Sequence, residues 1–304
     1  MRLLFTFDEF TVPIDLSAGQ APRTTAALIA TLPQRIDLHC AKVAGKHIFW
    51  HGAFLEAPEP TMDVMEAPPG AFMYWPERQF VELTFGPLQS ESAAVIYLGQ
   101  ALADASTLEG IGNRVITEQG HRILWADLVV DGLVVDGLVV DGEDNGVAAN
   151  PDDAGPEAVS RLRDMRKALW AGLPEEVSDL VSRNGLIIPY GPMVLAESEA
   201  RKLQENALPL WYAACNGEMD FSARAGQLLI RGAKARLVGL CHLGGAGALL
   251  DEADRLLGDY PDLAAATLKE LILAMGRLAG WLDGQLPWND LTATVQSVRD
   301  AQQS

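Results

Sequence analysis

The chain has 304 residues, of which 49% are hydrophobic and 7% aromatic, and it carries 23 basic against 41 acidic residues for a net charge of −18. It is long enough to bury more than one core, so two domains are expected. The acidic balance argues against nucleic acid or an anionic membrane as a partner, because phosphate binding draws on clustered lysines and arginines.

The cysteines and the apolar runs bear on the compartment. Cys40, Cys215 and Cys241 are odd in number and widely spaced, so they predict neither a disulfide framework nor a zinc site and fit a reducing cytoplasm. The N-terminal apolar run breaks at Asp8, too early for a signal peptide. No apolar run reaches the roughly 18 residues that a membrane span needs. The sequence therefore predicts a cytoplasmic protein.

The start of the chain has the pattern of short strands around one helix, which a proline opens and another proline ends. The predicted elements are a hairpin at 2–7 and 11–16, a helix over 21–33, and strands at 35–43 and 46–55. In the last of these strands, His47, Phe49 and His51 share one face. The proline-rich residues 56–70 then predict a loop.

Residues 72–87 are the stretch around which the first half is organised. An aromatic cluster is followed by a turn at Pro76 and by a strand of alternating character. Phe80, Glu82 and Thr84 lie on one face of that strand. Glu82 either faces water, as most glutamates do, or is a functional carboxylate among aromatic side chains.

Two more predicted strands, at 92–99 and 121–127, are separated by a loop around Gly110 to Gly112. The count is then seven or eight short strands and one helix. This is the signature of a small closed or nearly closed β-barrel, which we place at residues 1–127.

The chain changes character after residue 127. Three copies of Leu-Val-Val-Asp-Gly and an acidic stretch predict a linker over 128–155. Beyond it, a period of 3.6 residues predicts an all-α helical bundle over 156–304, with Tyr190 on a loop pinned by proline and glycine. The predicted helices cover 156–171, 174–184, 195–206, 222–243, 246–257, 261–279 and 288–301.

Two pieces of the first half resemble bacterial cyclophilin-like proteins. One is the segment 21–33, which is similar to the barrel-capping helix of that fold. The other is Tyr74-Trp-Pro followed by a hydrophobic strand that ends in Phe85-Gly-Pro. The Phe-His-Arg and Gln-Gly-Gly-Asp stretches that mark prolyl isomerases are missing, so the resemblance does not imply isomerase activity.

A cyclophilin-like barrel followed by a helical bundle is similar to the opine enzymes of the cucumopine and mikimopine synthase type. It is also similar to the bacterial Pictet–Spenglerase of kitasetaline-type β-carboline biosynthesis. The architecture carries this resemblance, not a catalytic motif. It implies an enzyme that condenses L-tryptophan, or alternatively L-histidine, with 2-oxoglutarate to a ring-closed product of the tetrahydro-β-carboline or cucumopine type.

A Pictet–Spengler cyclase forms C–C and C–N bonds and needs neither a metal nor a redox cofactor. The sequence agrees, since it has no dinucleotide fingerprint, no phosphate loop and no His-Glu-x-x-His motif. The partners implied are two small molecules, the amino acid and the keto acid, and we expect their site between barrel and bundle.

Nine residues are candidates for this site. The acid–base candidates are Glu82, His51 and Tyr74, and the substrate-binding candidates are Trp75, Arg78, Arg122, Arg183, Tyr190 and Arg201. Arginines are included because a di-acid substrate needs cations and the guanidinium matches a carboxylate with two parallel hydrogen bonds. Each arginine could instead form a surface salt bridge, and His51 could face solvent.

Two other functions stay open on the sequence alone. One is a non-catalytic small-molecule-binding module whose bundle serves homo-oligomerisation. The other is a residual prolyl isomerase or chaperone.

Overall fold

Ten strands of the first half form one antiparallel sheet in the computed structural model, which describes residues 1–17, 19–43, 45–88, 93–132, 156–182 and 190–303. The strands are β1 (Arg2–Phe7), β2 (Phe10–Leu16), β3 (Gln34–Asp37), β4 (His39–Cys40), β5 (Gly45–His51), β6 (Met62–Asp63), β7 (Ala71–Trp75), β8 (Phe80–Leu88), β9 (Ala94–Ala101) and β10 (Trp125–Val130).

The sheet curls back on itself at Leu38. Its strand order is β3-β10-β1-β2-β9-β7-β8-β5-β4, with β6 paired to β9, so β3 and β4 are the two ends of the path. Only Leu38 separates these strands in the chain, and its backbone N–H bonds the carbonyl of Leu124 at 2.8 Å. One residue thus joins the two edges, and the predicted nearly closed barrel is confirmed.

Alternation along the strands divides inner from outer residues. Around the closure, Ile36, Leu38 and Cys40 belong to the apolar cluster inside the barrel, while the intervening Asp37 and His39 lie on the outer face. The same period in β5 sends Ile48 and Trp50 inward and His47, Phe49 and His51 outward. Where β3, β4 and β5 meet, the outer face therefore carries buried polar and aromatic side chains.

Two helices pack on the barrel, where the sequence predicts one. The helix α1 (Pro22–Ala30) matches the prediction, but the loop predicted around Gly110 to Gly112 is wrong, because a helix α2 (Ala105–Glu118) occupies it. The glycines serve close packing there, since a Cβ on Gly112 would lie 2.5 Å from the ring of Phe85. Asp104 caps the helix by accepting from the N–H of Thr107 at 2.7 Å.

The last strand also differs from its prediction. It begins at Trp125 and continues to Val130, so the first Leu-Val-Val of the repeats belongs to the barrel and not to a linker. The remaining linker, predicted up to residue 155, lies outside the described residues apart from 131 and 132.

Each predicted helix of the second half has a helix at its position within the described residues, but the one predicted over 222–243 ends at Leu237, and residues 183 and 184 of the one predicted over 174–184 lie outside those residues. The helices of this half are α3 (Ser160–Ala171), α4 (Glu175–Ser182), α5 (Gly191–Cys215), α6 (Met219–Leu237), α7 (Gly244–Asp259), α8 (Ala264–Gly284) and α9 (Trp288–Gln303). The helix α8 is central and buried over most of its length, packing against α5, α3, α7 and α6. Across the described ranges, none of the helices combines the length and apolar character that crossing a bilayer requires.

The central helix α8 also lies directly on the outer face of the barrel, because glycines recur on it every fourth residue. A Cβ on Gly280 would lie 2.7 Å from the His51 ring, and one on Gly284 would lie 3.4 Å from His39. On the same stripe, a Cβ on Gly276 would lie 2.7 Å from the amide of Gln204 in α5. The missing side chains let α8 approach both the barrel and α5.

We expect Gly280→Ala to weaken this docking by about 1–3 kcal/mol, the usual effect of overpacking, and to lower the thermal midpoint by several degrees. Gly232→Ala in α6 is the matched control, because nothing lies within 4 Å of a Cβ placed there. Alanine is the better helix former, so the control should match or slightly exceed the wild type. Thermal unfolding followed by circular dichroism checks both, and equal midpoints would show that the contact at Gly280 is unimportant.

Candidate active site

A cavity of about 370 Å³ lies between the outer face of the barrel and the helices α5, α8 and α9. It is within the range of small-molecule pockets, roughly 300–1,000 Å³. The barrel side contributes Ala41, Lys42, Val43, His47, Phe49, Trp75, Arg78 and Phe80, and the helical side contributes Glu197, Ser198, Arg201, Lys202, Glu205, Asp283 and Trp288.

The barrel wall of the cavity is aromatic. His51, Phe80 and Trp75 lie opposite one another on the adjacent strands β5, β8 and β7. Phe80 stacks on Phe49 with ring centroids 4.1 Å apart, and Trp75 meets Phe80 edge to face at 6.0 Å. These rings form an apolar surface of fixed geometry that suits a flat aromatic ligand.

Glu82 lies in the next row of this wall, between Phe49 on β5 and Met73 on β7. It is 1% exposed, so it does not face water. One carboxylate oxygen is 3.9 Å from Nε2 of His47, which lines the cavity. Glu82 is therefore a buried carboxylate one side chain from the cavity.

His47 is the neutral neighbour of this carboxylate. Burial, assisted by the charge of Lys42, lowers the pKa of His47 to about 4, so the ring is uncharged at neutral pH. An uncharged imidazole can accept a proton at one nitrogen and donate one at the other.

The opposite wall is one face of α5. Glu197, Arg201 and Glu205 recur at every fourth residue, which places them in a row along the cavity. Arg201 donates to Oε1 of Glu197 at 3.2 Å and lies over the ring of Phe80 at 4.9 Å. This guanidinium thus connects the helical wall to the aromatic wall.

His51 is held by that arginine. Arg201 donates from Nη1 to Nε2 of His51 at 3.1 Å and to Oε1 of Gln204 at 2.9 Å. Because arginine can only donate, Nε2 of His51 accepts and its proton resides on Nδ1. Burial and the charge of Arg201 lower the pKa of His51 well below its usual value, in agreement with a neutral ring.

A buried charge network adjoins the cavity at Lys42 and Asp283. His39 bonds Asp37 through Nε2 and Asp283 through Nδ1, each at 3.0 Å, and Arg277 bonds Asp37 at 2.5 Å. Lys42 is paired with Asp283. Burial alone would lower the pKa of His39, but its bonds to the two carboxylates raise it. Both ring nitrogens face carboxylate oxygens, which can only accept, so both must carry a proton and the ring is an imidazolium.

The cations act on the carboxylates in turn. Burial would raise the pKa of Asp37, but Arg277 and His39 hold it well below its usual value, and Lys42 and His39 do the same for Asp283. Both carboxylates therefore stay ionised. Within the described part of the chain, no cluster of three or more His, Cys, Asp or Glu side chains is arranged to hold a metal ion.

Three of the substrate-binding candidates lie on the cavity. Trp75 belongs to the aromatic wall and Arg201 to the helical wall. Arg78 stacks over Trp75 with its guanidinium carbon 4.7 Å from the ring, and it pairs with Glu205 at 2.8 Å. Glu82 and His51 adjoin the same region, so the structure brings five of the nine candidates together.

The other candidates lie elsewhere. Tyr74 points into the barrel core, stacked on Phe54, where burial raises the pKa of its hydroxyl. Arg122 is not among the residues that line the cavity; it is half exposed and pairs with Asp8 and Glu118 at the surface. Tyr190 packs against the bundle core at the start of α5. Arg183 falls outside the described residues.

Sequence reasoning missed several lining residues. They are Lys42, His47, Glu197, Lys202, Glu205, Asp283 and Trp288. For His47 the signal was present, since it alternates with Phe49 and His51 on one face of a strand. For the residues of α5, α8 and α9, no local pattern marks the side that meets the barrel.

Comparison with solved structures finds a protein that this chain resembles over nearly its whole length. McbB in complex with tryptophan superimposes with a TM-score of 0.77 at 18% identity, and the match covers 96% of this chain and 99% of that chain. This chain has the McbB fold. At that identity the likeness establishes the fold alone, and it confirms the predicted barrel followed by a helical bundle.

A second solved structure resembles less than half of this chain. The solution structure of the hypothetical protein AF2241 from Archaeoglobus fulgidus matches with a TM-score of 0.31 at 18% identity, over 42% of this chain and 93% of that chain. No protein-family model and no curated protein sequence matches the chain.

The charge network predicts a stability optimum in mildly acidic solution. Asp37 and Asp283 have lowered pKa values, so the stability they contribute is present above about pH 4 and is lost as the pH falls below that unfolded-state value. His39 has a raised pKa, so its contribution is complete below about pH 6.5 and is lost as the pH rises through its folded-state pKa. All three contributions coincide between these limits.

Asp283→Asn should accordingly cost about 3–5 kcal/mol near pH 5.5, because it leaves buried cations without their carboxylate. This difference in unfolding free energy from the wild type should become smaller toward pH 3, because the wild-type carboxylates stabilise the folded state less as the pH falls. Asp164→Asn, on the exposed side of α3, is the control and should change little at any pH. Denaturant unfolding from pH 3 to 8 measures these differences, and a deficit independent of pH would contradict the network.

Proposed function

We propose that this chain is an enzyme that binds an aromatic amino acid, L-tryptophan in the first place, between barrel and bundle. It condenses that amino acid with 2-oxoglutarate in a Pictet–Spengler reaction. The observation that supports this most is an aromatic wall beside a buried carboxylate, Glu82, at the edge of the cavity between barrel and bundle. The fold shared with a tryptophan-bound protein and the resemblance of the sequence to Pictet–Spenglerases point the same way.

The cavity supplies the binding surface for the amino acid. The indole would stack against Phe49, Phe80 and Trp75, whose rings are fixed by mutual contacts. Lys42 lies over the ring of Phe49 at 5.2 Å, on the same side of the cavity. A cation at that place can bind the carboxylate of the amino acid while the ring lies against the aromatic wall.

The keto acid requires cations of its own. Arg78 is the outermost of the lining arginines, with a side chain that is 36% exposed and paired with Glu205. Because Arg78 and Glu205 are both about one-third exposed, Arg78 can exchange Glu205 for a substrate carboxylate and leave no fully buried charge without a partner. We assign the keto-acid carboxylate to Arg78 and leave the buried Arg201 as the support of His51.

The reaction then needs a base at its last step. The amino group attacks the ketone, water leaves to give an iminium ion, and the indole carbon attacks the iminium carbon. A base must finally remove the proton from that ring carbon. We assign this proton to the pair of His47 and Glu82, in which the neutral imidazole faces the cavity and the carboxylate stabilises the imidazolium that forms.

The direct test is to mix the purified protein with L-tryptophan and 2-oxoglutarate, without NADH, and to search by mass spectrometry for the sum of both minus water. Glu82→Gln keeps the size of the side chain but removes its charge and its capacity to take the proton. We expect the rate to fall at least about 100-fold with an unchanged thermal midpoint. Near-wild-type turnover by the variant would remove Glu82 from the mechanism.

The role of Arg78 has a matched test. Arg78→Ala should raise the KM for 2-oxoglutarate about tenfold or more with a smaller change in kcat, because it removes binding and not the chemistry. Arg122→Ala is the control, since that arginine pairs with Asp8 and Glu118 at the surface. Steady-state kinetics with tryptophan saturating compares the two. A lowered kcat at unchanged KM in Arg78→Ala would argue against the assignment.

A further inference from the structure

We propose that Glu197 is the general acid that expels water from the carbinolamine, acting from the wall of the cavity opposite Glu82. This inference rests on the function proposed above and concerns its earlier, dehydrating half. Glu82 and His47 account for the last proton transfer only. Loss of hydroxide from carbon is difficult without a proton donor, so the site needs an acid as well as a base.

The position of Glu197 suits this role. It lies on the α5 wall of the cavity, with a side chain that is 21% exposed. Arg201 holds one of its oxygens at 3.2 Å and is itself fixed by His51 and Gln204. A carboxyl group fixed in this way has a defined orientation toward the cavity.

The environment of Glu197 favours its protonated form. Burial is the largest influence and raises its pKa, and the charge of Asp283 on α8 acts in the same direction. Arg201 on the same helix and Lys42 on the barrel side oppose this but do not reverse it. The neutral His47 faces the same cavity from β5.

Among the described cavity carboxylates, the alternatives fit less well. Asp283 has a pKa held well below its usual value by Lys42 and His39, so it has no proton to give. Glu205 is more exposed than Glu197, 35% against 21%, and its arginine is closer, at 2.8 Å to Arg78 against 3.2 Å between Glu197 and Arg201. Two carboxyl groups whose environments differ, one on each wall, are the arrangement by which a single site supplies both an acid and a base.

The proposed step balances. Attack of the amine on the ketone forms the C–N bond, and one amine proton moves to the former carbonyl oxygen to give the carbinolamine. Glu197 then donates its proton to the hydroxyl group as the C–O bond breaks. Water leaves, the nitrogen lone pair forms the C=N bond of the iminium, and Glu197 remains as a carboxylate. After ring closure, the base releases to solvent the proton taken from the ring carbon, and Glu197 regains a proton from solvent, so the cycle consumes no net proton.

Reductive trapping separates this step from ring closure. Cyanoborohydride reduces an enzyme-formed iminium to a secondary amine that is heavier than the ring-closed product by two hydrogen atoms. With L-tryptophan and 2-oxoglutarate, Glu82→Gln should accumulate this amine, because dehydration proceeds while ring closure is blocked. In the double variant Glu82→Gln/Glu197→Gln, we expect the trapped amine to fall at least about tenfold, toward the level without enzyme.

Two further variants separate chemistry from structure. Both are made in the Glu82→Gln background. Glu197→Asp keeps a carboxylic acid and should restore part of the trapped amine. Glu118→Gln removes a surface ion pair with Arg122 and should give as much trapped amine as Glu82→Gln alone. Tryptophan affinity of Glu197→Gln, measured by titration calorimetry, should stay within about threefold of the wild type, because the acid acts after binding.

Each outcome is decisive. Equal trapping by the single and double variants would overturn the role of Glu197 while leaving the proposed function intact. A loss of tryptophan affinity that parallels the loss of trapping would overturn it too, by making Glu197 a binding residue. Absence of ring-closed product from the wild-type protein would instead overturn the proposed function, and the inference with it.

Discussion

The site depends on the direct packing of a helix against the outer face of a barrel that carries charged residues. Asp37 and His39 reach that face because the sheet closes between them, and α8 brings Arg277 and Asp283 to meet them. Removing four such groups from water is costly unless every charge has a partner. The alternation of acids and cations provides those partners, and it fixes the position of α8 along the barrel.

The glycines of α8 are the steric counterpart of this network. A side chain at Gly280 would clash with His51 and hold the helix away from the barrel, whereas a Cβ at Gly284 would just touch His39. Low water content strengthens each of these electrostatic contacts and lowers the pKa of His51 and His47. The close approach of barrel and bundle therefore accounts for the lowered pKa values of both histidines.

Periodicity in the sequence was sufficient to predict the architecture. Alternation in the first half and helical spacing in the second predict the barrel and the bundle, and alternation also places His51 and Glu82 on the outer face. The same rule excludes Tyr74 from the cavity, because adjacent residues of a strand point to opposite faces and Trp75 occupies the outer one. The helix α2 was missed because Gly110 and Gly112 resemble a loop in sequence.

The residues of α5 and α8 at the cavity could not be predicted in the same way. The helix α8 is buried almost all round, so its sequence shows no apolar stripe that would indicate which side meets the barrel. In α5, charged residues occur on several sides, and only the folded structure shows that Glu197 and Arg201 face inward while Glu199 pairs with Arg236. A polar interface between two domains has no periodic signature.

The pairing of charges inside the cavity bears on how this acidic protein could bind the acidic substrates that we propose. The chain has a net charge of −18, which repels an approaching carboxylate. Lys42, Arg78 and Arg201 nevertheless line the cavity, each next to a carboxyl group of the protein. A carboxylate of a proposed substrate would therefore have to replace or share the carboxyl group that already pairs with each cation. In the proposed function, Arg78, the most exposed of the three, would exchange its partner at the least cost in desolvation. Lys42 would share its charge between Asp283 and the amino-acid carboxylate, and Arg201 would keep its contacts with Glu197 and His51.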